Sequence, residues 1–170
     1  MTLSATAKAA LFAQQTSEVL LVCCVIEHPD IPESELFSAG IIRVVRNTEE
    51  ITVAGLADAT LNGTYKPFPF DIVIPSQDQD APAESRLVID NIDRQIVVAV
   101  RSIDTAPDVT MFVVLADSPN VVEFGPFTMQ LRDVQYDRFT IEGRLTFDDF
   151  LNESYPTGTF NEQTHPGMFP

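Results

Sequence analysis

The sequence predicts a mainly β fold of the α+β kind: a β-sandwich or a partly closed antiparallel barrel with two peripheral helices. Three observations carry that expectation. Phe139, Ile141, Leu145 and Phe147 alternate with Thr140, Glu142, Arg144 and Thr146, a period of two that marks a strand buried on one face and wet on the other. Phe127, Met129 and Leu131 alternate in the same way, and Val134 and Tyr136 resume one residue out of phase. A slip of one inside a strand predicts a β-bulge near Arg132 and Asp133. Asp137 and Arg138 then close the two runs into a hairpin. Finally, short apolar runs separated by turn residues fill most of the remaining chain.

The elements follow in order. Ser4 is placed to cap a helix over residues 5–15, which is rich in alanine, the strongest helix former. A buried strand is predicted over residues 19–26. Pro29 and Pro32 exclude a regular helix and make residues 28–34 extended loop. Strands are predicted over residues 41–46, 51–54, 70–74 and 86–89, with an acidic loop over 76–83. Residues 91–103 are rich in β-branched side chains, yet Ile92, Ile96, Val100 and Ile103 recur at helical spacing. With Asp90 or Asn91 as a cap, this spacing predicts a second helix over residues 93–102. A buried strand at 109–115 and a short one at 121–124 lead into the hairpin.

Residues 1–151 read as a single β-rich domain and residues 152–170 as an extended C-terminal arm. The arm has no periodicity but carries Tyr155, Phe160, Met168 and Phe169. Solvated tails are poor in aromatics, so the arm is expected to dock, on its own domain or on a neighbour. Lying extended across an adjacent subunit would bury these side chains, which makes all four candidate subunit-interface residues.

Composition excludes several function classes. The chain has 170 residues and 45% apolar content, enough for one domain with a core. Twenty-five acidic residues against 10 basic ones give a formal charge of −15. The phosphate-neutralising term of nucleic-acid binding is missing, and no sequence-specific nucleic-acid partner is expected. Cys23 and Cys24 are the only cysteines. Neighbours in a strand point to opposite faces, so the two are expected to be buried free thiols, consistent with a reducing compartment. The apolar run at 19–26 is too short to span a bilayer, and neither export nor membrane insertion is expected.

The raw material for catalysis is thin. His28 and His165 are the only histidines, and each precedes a proline; both read as solvated turn residues. The seven glycines form no phosphate loop, and the cysteine pair lacks partners for zinc. Carboxylates remain: Asp148, Asp149 and Glu153 after the hairpin, and Asp78 and Asp80 in the acidic loop. Such groups serve glycosidases or divalent cations, but no tryptophan is present to stack a sugar. The expectation is no enzyme, no catalytic residue, no metal and no cofactor.

Several stretches together resemble a known family. They include Glu27-His-Pro-Asp-Ile-Pro-Glu33, Ile42-Arg-Val-Val-Arg-Asn47, Tyr65-Lys-Pro-Phe-Pro-Phe-Asp-Ile-Val-Ile-Pro75 and Leu87-Val-Ile-Asp-Asn-Ile-Asp-Arg94. Leu131-Arg-Asp-Val-Gln-Tyr136 and Phe147-Asp-Asp-Phe-Leu-Asn-Glu-Ser-Tyr-Pro156 complete the set. They are similar to small tail proteins of bacteriophages and prophages, a domain of unknown function encoded near the tape measure and tail-tip genes of long non-contractile tails. Residues 34–40 and 54–62 depart from that pattern and read as insertions. The resemblance implies a virion structural protein of the tail tip or baseplate, assembled in the host cytoplasm. It further implies partners among the tail tube, distal tail, hub and tape measure proteins, and a homo-oligomeric ring of six or three copies. It carries no catalytic residue to transfer. The alternative is a receptor- or carbohydrate-binding module at the tail tip; the absence of Trp and the presence of only three Tyr weigh against it.

Overall fold

The computed structural model describes residues 3–72, 84–90, 94–137 and 140–147. Helix α1 (Ala5–Phe12) begins where Ser4, in extended conformation, accepts a hydrogen bond from the Ala7 N–H. It stops at Ala13, short of the predicted end, where the backbone turns extended. Strands β1 (Leu20–Glu27), β2 (Ile41–Val45) and β3 (Ile51–Val53) follow. A 3₁₀ turn (Ala59–Leu61) leads to β4 (Gly63–Pro67) and β5 (Phe70–Ile72). Strand β6 (Glu84–Asp90), helix α2 (Arg94–Ser102), and strands β7 (Asp108–Leu115), β8 (Ser118–Tyr136) and β9 (Thr140–Thr146) complete the order.

The strands form one nine-stranded sheet in the order β3-β4-β2-β1-β7-β8-β9-β6-β5. Two residues, Phe68 and Pro69, separate β4 from β5 in the chain, although these strands lie near opposite ends of that order. The sheet must therefore curl until its edges meet. The seam is hydrogen-bonded on both sides: the Phe68 N–H donates to the Val45 carbonyl (3.0 Å) and the Asp90 N–H to the Pro69 carbonyl (3.1 Å). Of the two predicted architectures, the chain adopts the partly closed barrel. One pairing departs from the antiparallel expectation, since β2 and β4 run parallel through Val44–Lys66 and Val45–Pro67. The run from β4 to β5 serves as a single closing stave, parallel to β2 and antiparallel to β6.

The barrel interior is one core and its outer face carries a second. Inside, Cys24, Ile26, Val44, Phe70, Leu87 and Leu145 pack with Ile96 and Ala99 of α2. Outside, Leu21, Cys23, Val25, Phe112 and Val114 are covered by Val53, Leu61 and Tyr65. Strand β1 is thus buried on both faces, which explains its unbroken apolar run. Tyr65 is fully buried, meets Phe112 edge-on at 5.8 Å and donates its hydroxyl to the Leu61 carbonyl at 2.7 Å. The two regions read as insertions are structural, since Phe37 enters the inner core and Leu61 the outer one.

The predicted bulge is present. Pairing between β8 and β9 shifts register between Arg132 and Gln135, and Asp133 takes a left-handed φ of 53°. Ile141 and Leu145 are buried as the alternation requires, whereas Phe147, past the end of β9, is 40% exposed. The run at 121–124 is not a separate strand but part of the long β8. Strand β4 was not anticipated, because Gly63 and Pro67 bracket it and it buries only Tyr65.

Cys23 and Cys24 are free, buried and divided between the two cores. Burial pushes both thiols up from the ordinary value near 9 to about 12. Between those values the unfolded chain has lost protons that the folded chain keeps, so ionisation favours unfolding. Stability is expected to hold below pH 9 and to fall as pH rises from about 9 toward 12. Urea titrations across that range test this, and Cys24→Ala should flatten the decline. A thiol reagent should label neither cysteine until denaturant is added.

Candidate functional site

The described residues line an apolar pocket of about 310 Å³, open on one side, where α2 packs at one end of the barrel. Its walls are aliphatic: Ile26 of β1, Ile42 of β2, Leu87 and Ile89 of β6, and Ile141 of β9, with Ile96 of α2 across from them. The rim consists of Ile103 to Pro107, which link α2 to β7, and the bulge from Leu131 to Val134. Two backbone features shape it. Gly143 has no room for a side chain, since a Cβ there would lie 2.4 Å from Leu131 Cδ1; its absence lets Leu131 pack flat against β9. Asp133 tolerates the left-handed conformation better than a β-branched residue would, and the extra residue at the bulge turns Val134 toward the core. Outside the barrel, the Arg101 guanidinium of α2 lies 5.1 Å from the centre of the Tyr136 ring, holding the helix over the end of β8.

A polar cluster stands beside the rim and corrects the reading of His28. This residue is buried, not a solvated turn residue. The Asp30 N–H donates to its Nδ1 at 3.2 Å, and its Nε2 lies 2.6 Å from Thr105 Oγ1. The chain reverses around it: the His28 N–H donates to the Gly40 carbonyl and the Gly40 N–H to the Ile31 carbonyl. Ile31 and Phe37 enter the core from the same loop, which is why His28 is enclosed. Hydroxyl, imidazole and the Asp30 carboxylate, 3.7 Å from Nδ1, make up the atom set of a nucleophilic triad. The tautomer is reversed. A backbone N–H can only donate, so Nδ1 accepts, Nε2 carries the proton, and the imidazole donates to Thr105. General-base catalysis needs the lone pair at Nε2. The cluster therefore pins two loops together rather than activating Thr105.

On the barrel exterior, Arg86, Arg144 and Arg132 stand directly opposite one another across β6, β9 and β8. Like charges so placed repel, and carboxylates interleave: Glu142 pairs with Arg86, and Asp133 lies 3.8 Å from Arg144. The two carboxylates offset most of the charge of the three arginines.

A second feature lies at the opposite end of the barrel. Exposed large apolar side chains occur on its elements: Val19 and Leu20 entering β1, Val121 and Phe124 on β8, and Leu11 and Phe12 on α1. Only Ala7 of α1 is buried, and Phe12 is 89% exposed. The helix is fixed to the barrel at its start, where the Ser4 N–H donates to the buried Glu123 carboxylate at 2.8 Å.

Tyr155, Phe160, Met168 and Phe169 lie outside the described residues, as do Asp78, Asp80, Asp148, Asp149, Glu153 and His165. Among the described residues, no group of three or more His, Cys, Asp or Glu side chains could hold a metal ion. No described helix is long and apolar enough to cross a membrane. The cavity itself went unread in the sequence, although Gly143 was a signal, because glycine inside an alternating strand marks close approach. What its lining can do chemically is bury an apolar group. No curated protein matches the chain. A family model described as a domain of unknown function, DUF1833, matches residues 6–160, nearly the whole length, and the chain belongs to that family.

Proposed function

We propose that this protein is a structural component of a bacteriophage tail tip, acting through contacts between subunits and with other tail proteins. The observation that carries this reading is the apolar surface at the α1 end of the barrel. Val19, Leu20, Val121 and Phe124 are large and exposed where β1, β7 and β8 end together, and Leu11 and Phe12 are exposed on the helix tied to that end through Ser4; exposed apolar side chains of this kind suit a protein contact. A helix with one buried residue gains little from its own barrel and is well suited to pack against another chain. The likeness of several segments to small phage tail proteins supplies the setting. The acidic balance of −15 suits a wall past which DNA moves without binding. The partners are other copies in a ring of six or three, together with neighbouring tail proteins, with Tyr155, Phe160, Met168 and Phe169 as the proposed interface residues of the C-terminal arm.

Sedimentation of the full chain tests the assembly. The wild type is expected to form a closed oligomer, and Phe12→Asp with Phe124→Asp to reduce it to monomer without changing the far-ultraviolet circular dichroism. Antibody labelling of purified particles tests the location, with signal expected at the tail tip alone. A wild type that stays monomeric at high concentration, together with particles lacking the protein, would exclude this role.

A further inference from the structure

We infer that the arginine strip on β6, β9 and β8 docks a second copy of this chain, through the acidic loops at the end of β1 and before β7. Arg86, Arg144 and Arg132 are all exposed, and each stands opposite its neighbour in the sheet. Arg86 has Glu142 for a partner and Asp133 faces Arg144, but Arg132 donates to the neutral side chain of Gln130 at 2.8 Å. Arg86 and Arg144 also border a depression of about 460 Å³, lined as well by Gln135 and Gly143, with room for a carboxylate side chain. Aligned like charges repel within one chain. An anionic surface laid across them removes that repulsion and meets guanidinium forks suited to carboxylates.

The same chain presents that anionic surface. Glu27, Asp30, Glu33 and Glu35 follow one another with no lysine or arginine between them, and Asp104 and Asp108 repeat the pattern before β7. All but Glu27 are exposed. Glu27 and Asp108 stand directly opposite across β1 and β7, so this surface also repels itself. The His28–Thr105 contact at 2.6 Å and the bond from the Ser102 hydroxyl to the Asp30 carbonyl hold the two loops together as one surface. Two self-repelling surfaces of opposite sign on one chain favour a second copy over a foreign partner. Strip and loops belong to different strands, so their contact is heterologous, the type that closes into a ring. The inference rests on the reading that copies of this chain assemble. It adds a polar contact at the end of the barrel away from α1, which barrels standing side by side make together with the apolar one.

Sedimentation of the full-length protein at graded salt is the first test. Raising salt from about 0.05 M to about 1 M, where the screening length falls to about 3 Å, should weaken association of the wild type about tenfold, whereas an apolar contact alone would hold. Arg132→Glu with Arg144→Glu, and separately Glu33→Arg with Asp104→Arg, should each weaken association at least as much, with circular dichroism unchanged. All of these changes in one chain should restore it, because strip and loops have then exchanged signs. An oligomer indifferent to salt, or a combined variant as dispersed as its two parents, would overturn the inference and leave assembly through the apolar end standing. A wild type that stays monomeric would overturn both. Duplex DNA retained by the wild type and released by the strip reversal would assign the arginines to phosphate and overturn the inference as well.

Discussion

Leu145→Asp is expected to unfold the protein at neutral pH. Leu145 is fully buried in the barrel interior, between Leu131 on β8 and the buried Ser85 on β6. Losing a buried leucine costs about 2–5 kcal/mol in packing, and burying a carboxylate among apolar walls adds about 3 kcal/mol or more unless it stays protonated. The sum approaches the roughly 5–15 kcal/mol that holds most domains folded. Thr146→Asp, one residue on and facing out opposite Gln130, should shift the midpoint little. Because the introduced carboxyl is neutral in acid, the Leu145→Asp protein should recover part of its structure when pH is lowered toward 4. Circular dichroism of both variants decides the matter. If Thr146→Asp unfolds and Leu145→Asp melts like wild type, the assigned facing of β9 is wrong.

That facing was legible in the sequence because it is a local property. Alternation around Ile141 and Leu145, the phase slip at Asp133 and the cap at Ser4 each depend on neighbours within a few residues, and each appears in the structure. Helix α2 was a closer case: its β-branched content argued for a strand, and the spacing of Ile96 and Ile103 prevailed because one helical face meets the barrel. What stayed hidden was non-local. The closure of the sheet turns on two residues, Phe68 and Pro69, whose bonds reach Val45 and Asp90. His28 seemed solvated because Pro29 follows it, and only the return of residues 31–40 encloses it. The cavity draws its lining from widely separated segments, so no window of sequence contains it.

Gly125→Ala is expected to be the most damaging of the single-methyl additions outside the cavity. Gly125 has a φ of +91°, and a Cβ built there would lie 2.8 Å from the Met111 carbonyl oxygen and 3.1 Å from Phe112 Cα. Both contacts are backbone atoms of β7, at a place where pairing with β8 skips from Met111–Phe127 to Val113–Phe124. Neither can swing aside as a side chain would. The conformation alone costs a residue with a Cβ about 1–3 kcal/mol, and the forced separation adds about 1–3 kcal/mol of overpacking. Gly55 provides the control: its φ is +79°, but nothing lies within 4 Å of the added Cβ. Gly55→Ala should therefore register the conformational cost alone. At about 2–4 °C per kcal/mol for a chain of this size, Gly125→Ala should lower the melting temperature by roughly twice as much as Gly55→Ala. Equal shifts in the two variants would mean that β8 can move away from β7 at this point, and that the close approach of the two strands contributes nothing to holding the barrel together.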